Sequence, residues 1–307
     1  MTIYNLNAGP AILPREVIAE AAQGVLELNG TGLSILEVSH RGAEYEPLHL
    51  QAQADILELM ELSADEYGVL FLGGGASTQF AMVPMNFLKQ DGHADYVNTG
   101  EWATRAIQEA RRYGTVHVVG SSEDASFNCI PRDVRFHSDA SYVHLTSNNT
   151  IYGTAWNTFP ETGPAPAVCD MSSDFLSRTV DHRRFDLIYA GAQKNAGPAG
   201  VTIVVVRKSL IARANADLPT MFSYQTHLKA NSLYNTPPVF GVYVVGLVAK
   251  WLKRQGGLAG IEAVNRKKAA TLYGALDALS DVFRPIVPRA EDRSWMNITF
   301  RLRDEKL

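Results

Sequence analysis

Lys194 ends the run Tyr189-Ala-Gly-Ala-Gln-Lys194, directly after the apolar stretch Asp186-Leu-Ile-Tyr-Ala190. That stretch reads as a short buried strand. Gly197-Pro-Ala-Gly200 then breaks the chain, and a second strand follows over Val201 to Val206. A lysine at the end of a buried strand is costly unless it is paired or has a task. Desolvation favours its neutral amine, which suits a Schiff-base nucleophile. The competing reading is a lysine whose head reaches water or an ion pair. Upstream, Asp170 closes the strand-like run Ala165 to Cys169 and precedes Met171-Ser-Ser173. Taken alone it reads as a helix N-cap before Asp174-Phe-Leu176. Taken with Lys194 it reads as the acidic partner for the ring nitrogen of pyridoxal 5'-phosphate (PLP), a cofactor held by a lysine and tuned by a carboxylate.

Other candidate contacts lie where strands give way to helices. Gly73-Gly-Gly-Ala-Ser-Thr78 follows the strand Tyr67 to Leu72 and opens a helix near Thr78 to Leu88. Its glycines let backbone N–H groups converge on a phosphate at a helix N-terminus, with Ser77 and Thr78 as hydroxyl donors. It lacks the Gly-Lys-Ser/Thr ending of a Walker loop, and an ordinary capped turn is the alternative. Trp102 follows Asn98-Thr-Gly-Glu101, at the strand-end position where α/β sheets bind ligands, and its indole suits stacking on a ring. A core tryptophan is the plainer reading. Thr150, in Ser147-Asn-Asn-Thr150, and Gln193 are further donors, although turn chemistry would also account for them. His40-Arg41 suits an anionic substrate or a surface ion pair with Glu44 or Glu46. His182-Arg-Arg184 reads as a solvated turn.

The elements that position these residues alternate. Strands over Tyr67 to Leu72, Ala94 to Asn98, Val116 to Val119, Tyr142 to Thr146, around Val168, Leu187 to Tyr189 and Val201 to Val206 are interleaved with helices such as Trp102 to Tyr113. This pattern predicts an α/β fold with a mostly parallel central sheet. After Pro238 it changes to two long helices, Val239 to Gln255 and Leu258 to Leu279, then strands over Val282 to Val287 and Met296 to Leu302. The expected division is a large domain over residues 16–255 and a small α+β domain from 1–15 and 256–307.

Composition narrows the classes. The chain has 307 residues, 46% hydrophobic and 20% charged, with a net charge of -4. Nothing in it is a basic footprint for nucleic acid or an anionic membrane. The N-terminus has no signal-peptide pattern, and the apolar stretch Pro238 to Leu252 is broken by Gly241, Gly246 and Lys250. Cys129 and Cys169 form neither a disulfide framework nor a metal spacing. A cytoplasmic protein with free thiols, and no metal site, is expected.

The ordered set Asn7-Ala-Gly-Pro10, Val38-Ser-His-Arg-Gly42, Gly73-Gly-Gly-Ala-Ser77, Trp102, Ser147-Asn-Asn-Thr150, Ala190-Gly-Ala-Gln-Lys-Asn195 and Tyr234-Asn-Thr-Pro-Pro238 resembles the phosphoserine aminotransferases, fold-type-I PLP enzymes of the class V aminotransferase group. The resemblance runs through nearly the whole chain. It implies that Ala76, Ser77 and Gln193 hold the cofactor phosphate, Trp102 stacks on the ring, Thr150 donates to the phenolic oxygen, Asp170 faces the ring nitrogen and Lys194 carries the cofactor. It also implies that Asn235 and Thr236 reach a neighbouring subunit's phosphate in a homodimer, and that His40 and Arg41 hold anionic substrate. The implied reaction passes an amino group between glutamate and 3-phosphohydroxypyruvate, giving 2-oxoglutarate and O-phospho-L-serine in serine biosynthesis. The alternatives are a related serine– or alanine–glyoxylate aminotransferase, or a PLP-binding chain impaired in turnover. The family's Gly-Gly-Met-Arg-Ala-Ser-like stretch does not occur before the chain stops at Leu307. The small domain is therefore expected to be incomplete and to grip substrate weakly.

Overall fold

The computed structural model describes residues 4–304. The outermost parts of the expected small domain, residues 1–3 and 305–307, lie outside them. In chain order the elements are α1 (Arg15–Leu26), α2 (Glu46–Leu59), β1 (Tyr67–Leu72), α3 (Gly75–Phe87), β2 (His93–Asn98), α4 (Glu101–Ala110), β3 (Thr115–Ser121), β4 (Val143–Thr146), β5 (Ala167–Asp170), β6 (Leu187–Gly191), β7 (Thr202–Arg207), α5 (Lys208–Ile211), α6 (Tyr224–Lys229), α7 (Val239–Arg254), α8 (Gly257–Ala278), β8 (Phe283–Pro285) and β9 (Phe300–Leu302).

Seven strands form one sheet in the order β1-β7-β6-β5-β4-β2-β3. The pairs β6–β5, β5–β4, β4–β2 and β2–β3 are parallel, and β7 is antiparallel to both its neighbours. Only β7 therefore runs against the rest, which makes the sheet mostly parallel, as the alternating pattern predicts.

Helices cover both faces, so the inner strands are apolar on both sides. Strand alternation divides them cleanly. Val69, Phe71, Ile203 and Val205 join the core beneath α1, α2 and α7, with Val17, Ile56 and Val244. Leu70, Leu72, Val204 and Val206 join the core beneath α3 and α4, with Phe80 and Ile107. One β-branched run thus feeds two cores through its period of two.

This topology settles where the functional loops lie. β1 runs in the same sense as β6, because each opposes β7. The carboxyl ends of β1, β2, β4, β5 and β6 therefore open on one edge of the sheet, where α/β folds bind ligands. The glycine turn, Trp102, Thr150, Asp170 and Lys194 all follow those ends.

After α7 the chain builds α8 and a two-stranded antiparallel sheet, β8–β9. The two terminal strands are shorter than the sequence predicts. Residues 294–299 bond instead to the loop after β4: Ser294 N donates to the Gly153 carbonyl at 2.8 Å, and Thr299 Oγ1 to the Tyr152 carbonyl at 2.9 Å. The residue ahead of the predicted strand and a side chain within it thus brace that loop, while the Thr299 carbonyl still accepts from Ile286 N at 3.0 Å. His182-Arg-Arg184 also departs from the predicted solvated turn. His182 is buried, with Nδ1 3.2 Å from the Met60 carbonyl, and Arg184 donates to the Pro160 carbonyl at 2.9 Å. Only Arg183 keeps to the solvent.

Candidate active site

Lys194 ends a single helical turn, Ala192–Lys194, directly after β6. Its Nζ donates to Thr150 Oγ1 at 2.7 Å and lies 4.8 Å from the centroid of the Trp102 ring. Burial pushes its ammonium below the usual lysine value, and Asp170 and then Asp174 pull it back up. A lysine in this balance gives up its proton more readily than a surface lysine, as a nucleophilic amine must.

Asp170 is the last residue of β5 and is buried. Burial raises its carboxyl above the usual aspartate range, and Lys194, the largest opposing cause, draws it down. Its Oδ1 accepts from Ser172 N at 2.9 Å. No helix follows, so the N-cap reading gives way to a short turn. Ser172 Oγ in turn accepts from Gly191 N at 3.0 Å, which ties the turn to the end of β6.

The sequence reading did not single out Asp174 for the site. It is buried, accepts from Ser147 Oγ and from Arg178 Nη2, and contributes to the field at Lys194. Arg178 lies four residues on, but Ser147 and Lys194 come from other parts of the chain, so no local spacing marks Asp174 as part of the site.

The loop after β4 works as a bracket. Asn149 Oδ1 accepts from Thr99 Oγ1 at 3.4 Å, and its Nδ2 donates to Thr154 Oγ1 at 2.9 Å. Asn148 Nδ2 reaches Ser173 Oγ at 2.8 Å and Asn297 Oδ1 at 2.7 Å. A Cβ on Gly100 would come within 2.8 Å of Asn149 Oδ1, so only glycine fits where the two loops meet. Asn98 Oδ1 then accepts from Thr104 Oγ1 at 3.1 Å, which orients the first turn of α4 and with it Trp102. Trp102 Nε1 is buried with no hydrogen-bond partner among the described residues.

The Asn7-Ala-Gly-Pro10 segment crosses beside the lysine. Ala11 N donates to the Gln193 carbonyl at 2.9 Å. A Cβ on Gly9 would meet Lys194 Cγ at 3.0 Å. The glycine lets backbone pass against the lysine stem.

At the glycine turn, Gly74 and Gly75 hold φ of 85° and 68°, a region that favours glycine. A Cβ on Gly73 or Gly75 would meet nothing within 4 Å, so the turn opens on free space. Ala76 is half-buried and Ser77 exposed. Thr78 departs from its predicted role, because its hydroxyl donates to the Gly74 carbonyl at 3.0 Å and caps the turn instead of facing outward.

Asn235 and Thr236 are exposed and line a cavity of about 280 Å³ with Gly73, Gly74, Thr78, Met221 and Phe222. Arg41 Nη2 donates to the Tyr234 carbonyl at 3.2 Å, and Arg41 makes no ion pair with Glu44 or Glu46 among the described residues. His40 Nε2 is buried without a partner among them, and burial followed by the Arg41 charge lowers the ring's pKa. One chain thus gathers Lys194, Thr150, Trp102 and Asp170 into one constellation. Asn235 and Thr236 form a second group bordering the glycine turn, and Arg41 is tied to the neighbouring Tyr234.

A half-buried lysine against an aromatic ring, in the field of a buried carboxylate at the carboxyl edge of a mostly parallel sheet, defines a class of enzyme. The sequence model described as "Aminotransferase class-V" matches residues 3–306, and the chain belongs to that family. Among curated proteins, it is 51% identical over 306 residues to a phosphoserine aminotransferase of Niallia circulans, covering 99% of this chain and 84% of the relative. Among solved structures, a phosphoserine aminotransferase from Bacillus circulans subsp. alkalophilus superposes with a TM-score of 0.95 at 51% identity, covering 98% of this chain and 84% of that one. A PLP-bound phosphoserine aminotransferase from Trichomonas vaginalis gives 0.90 at 34% identity, with 98% and 84% covered.

Proposed function

We propose that this chain is a PLP-dependent aminotransferase that exchanges an amino group between glutamate and 3-phosphohydroxypyruvate, giving 2-oxoglutarate and O-phospho-L-serine for serine biosynthesis. The observation that carries the reading is the Lys194 amine, 2.7 Å from the Thr150 hydroxyl and 4.8 Å over the Trp102 ring, in a chain 51% identical to a phosphoserine aminotransferase. The glyoxylate-type alternatives are not favoured by relatives of this likeness.

The residues present fit the cofactor. A buried indole N–H without a partner among the described residues, open space over Gly73 and Gly75, and a buried carboxylate acting on a half-buried lysine are what a flat, phosphorylated, basic ring requires. When bound, PLP supplies an electron sink for the Cα of the amino acid. Lys194 Nζ would hold the cofactor covalently and, once released, carry the proton that leaves and returns at substrate carbon. Asp170 would accept from the ring N–H, and its ionised form keeps that nitrogen protonated. Trp102 would cover one ring face, and Thr150 Oγ1 would donate to the phenolic oxygen. Ala76, Ser77 and Gln193 would hold the phosphate. Arg41 and His40 would bind the anionic end of the substrate.

We infer a homodimer in the cytoplasm. Asn235 and Thr236 face solvent on their own chain, near exposed Met221, Phe222 and Tyr234. Such a clustered apolar rim supports a covered face. The two cysteines are free, which fits a reducing compartment. Among the described residues no helix is long and apolar enough to cross a membrane. Mixing Lys194→Ala chains with Asn235→Ala/Thr236→Ala chains is expected to restore part of the activity, since one site per heterodimer stays intact. Heterodimers that form but stay inactive would show that sites are not shared.

The substrate is tested by single turnover of the cofactor-loaded protein. O-Phosphoserine is expected to discharge the lysine-linked absorbance about a hundredfold or more faster than alanine, because a charge-recognising site rejects a ligand lacking the charge. Equal rates would move the assignment to the glyoxylate-type alternatives.

A further inference from the structure

Four residues that the candidate active site does not use meet at the opposite edge of the sheet, at the amino ends of β2 and β3. His93 and Asp95 are two apart on β2 and so share a face. The parallel register sets His117 of β3 directly opposite Asp95. His137 arrives from the connection between β3 and β4. One ligand atom from each of the four lies within 4.8 Å of all the others, and this is the only such group among the described residues. The rings crowd together: His93 and His117 stack at 4.7 Å, His117 and His137 lie 4.9 Å apart, and His93 and His137 lie 5.2 Å apart.

The hydrogen bonding leaves this cluster incomplete. Asp95 is fully buried. Its Oδ2 accepts from His137 N at 2.6 Å and its Oδ1 from His137 Nδ1 at 3.0 Å. His117 Nδ1 stands 3.9 Å from Oδ1, beyond hydrogen-bond reach. His93 Nε2 is a buried nitrogen with no hydrogen-bond partner among the described residues, and Asp139 Oδ1 stays 3.8 Å away. Three imidazoles thus converge on one carboxylate that serves only one of them, and buried polar atoms ordinarily find partners.

We propose that His93, Asp95, His117 and His137 bind one divalent transition-metal ion of the zinc type, which clips edge strand β3 and the following loop to β2. Three imidazole nitrogens and one carboxylate oxygen match what such ions take, and a closed set of four protein ligands is the mark of a structural site. Metal–nitrogen bonds of about 2.0–2.1 Å in a tetrahedron put donor atoms about 3.4 Å apart, so the cluster must contract by at most about 1.5 Å. The side chains of His117 and His137 are 42% and 48% exposed and are free to turn inward, while Asp95 is the fixed anchor. β3 is the sheet's edge strand, with a neighbour on one side only, and a metal there closes an otherwise weak margin.

The test uses the chelator-treated, cofactor-loaded protein. Zinc titration is expected to show one ion bound per chain and a Tm raised by about 4 °C or more at saturating metal. Cobalt in its place is expected to give the visible bands of a tetrahedral site. His93→Gln and His117→Gln each remove a ligand without touching the hydrogen bonds that His137 donates to Asp95. Each is expected to weaken zinc at least about tenfold and to abolish the cobalt bands. The lysine-linked absorbance should be unchanged in both, which certifies that they fold. An absence of stoichiometric zinc binding, or zinc affinity in either variant equal to the parent's, would leave these histidines as a packed cluster on Asp95 and overturn the proposal.

Discussion

Lys194→Ala is expected to abolish transamination, by at least about a thousandfold, while leaving the two sheet cores folded. Among the described residues, the side chain lost is the only one placed both over the Trp102 ring and against the Thr150 hydroxyl. On the proposed assignment its removal takes away covalent attachment and the proton carrier together, so added amine is expected to replace only part of the loss. The variant also alters its surroundings in a defined direction. Lys194 is the largest influence holding the Asp170 carboxyl down against burial. Without that cation the Asp170 pKa climbs further, so titration of the cofactor-free variant should find a carboxyl protonated at higher pH than in the parent. The decisive readout is borohydride reduction of the loaded protein followed by peptide mapping. The parent should carry a reduced adduct on the peptide containing Lys194 and the variant none. An adduct of equal yield at another lysine in the variant would remove Lys194 from its assigned place.

The placement of Lys194 and Asp170 at or just after strand ends was legible because each closes or follows a run of strand formers, and strand ends are where a parallel sheet exposes its chemistry. Local pattern carried that much: Val69 and Leu70, or Ile203 and Val204, go to opposite cores as a period of two requires. Relations between distant segments did not show. Asp174 reads as the start of a helix, yet its hydrogen bond from Ser147 and its effect on Lys194 arise only when the loops after β4, β5 and β6 meet. Met296 to Leu302 alternates like a strand, but Met296 N and Asn297 N turn back to Ser294 Oγ and the Thr299 hydroxyl goes to the Tyr152 carbonyl, which leaves β9 with three residues. Thr78 looks like a phosphate donor until the Gly74 carbonyl claims its hydroxyl. The histidines of the cluster have no short spacing among themselves. Strand register unites His93, Asp95 and His117, and a loop brings His137 in. That is why counting cysteines and scanning for ligand motifs gave no hint of a metal.

Asp170→Asn is expected to keep the fold and the lysine-linked cofactor but to lose turnover on the order of a hundredfold or more, since the amide cannot hold the ring nitrogen protonated. Asparagine is the informative replacement because it isolates charge from shape. Its side-chain oxygen still accepts the Ser172 N–H bond, 2.9 Å in the parent, so the turn that ties β5 to β6 survives. Asp170→Ala loses both the charge and the turn, and should lose cofactor affinity as well. A pH profile separates an electrostatic role from a structural one. Asp170 is the principal group raising the Lys194 pKa against desolvation. A neutral residue there lets that pKa fall further, so more of the amine is free at a given pH. The pH dependence of cofactor attachment should therefore move to lower pH in Asp170→Asn even as turnover collapses. If Asp170 served only to cap its turn, Asn would leave both the profile and the rate near those of the parent, and Ala alone would be impaired. Loss of turnover with an acid-shifted attachment profile is the pair of results that only a buried charge acting on both Lys194 and the ring nitrogen produces.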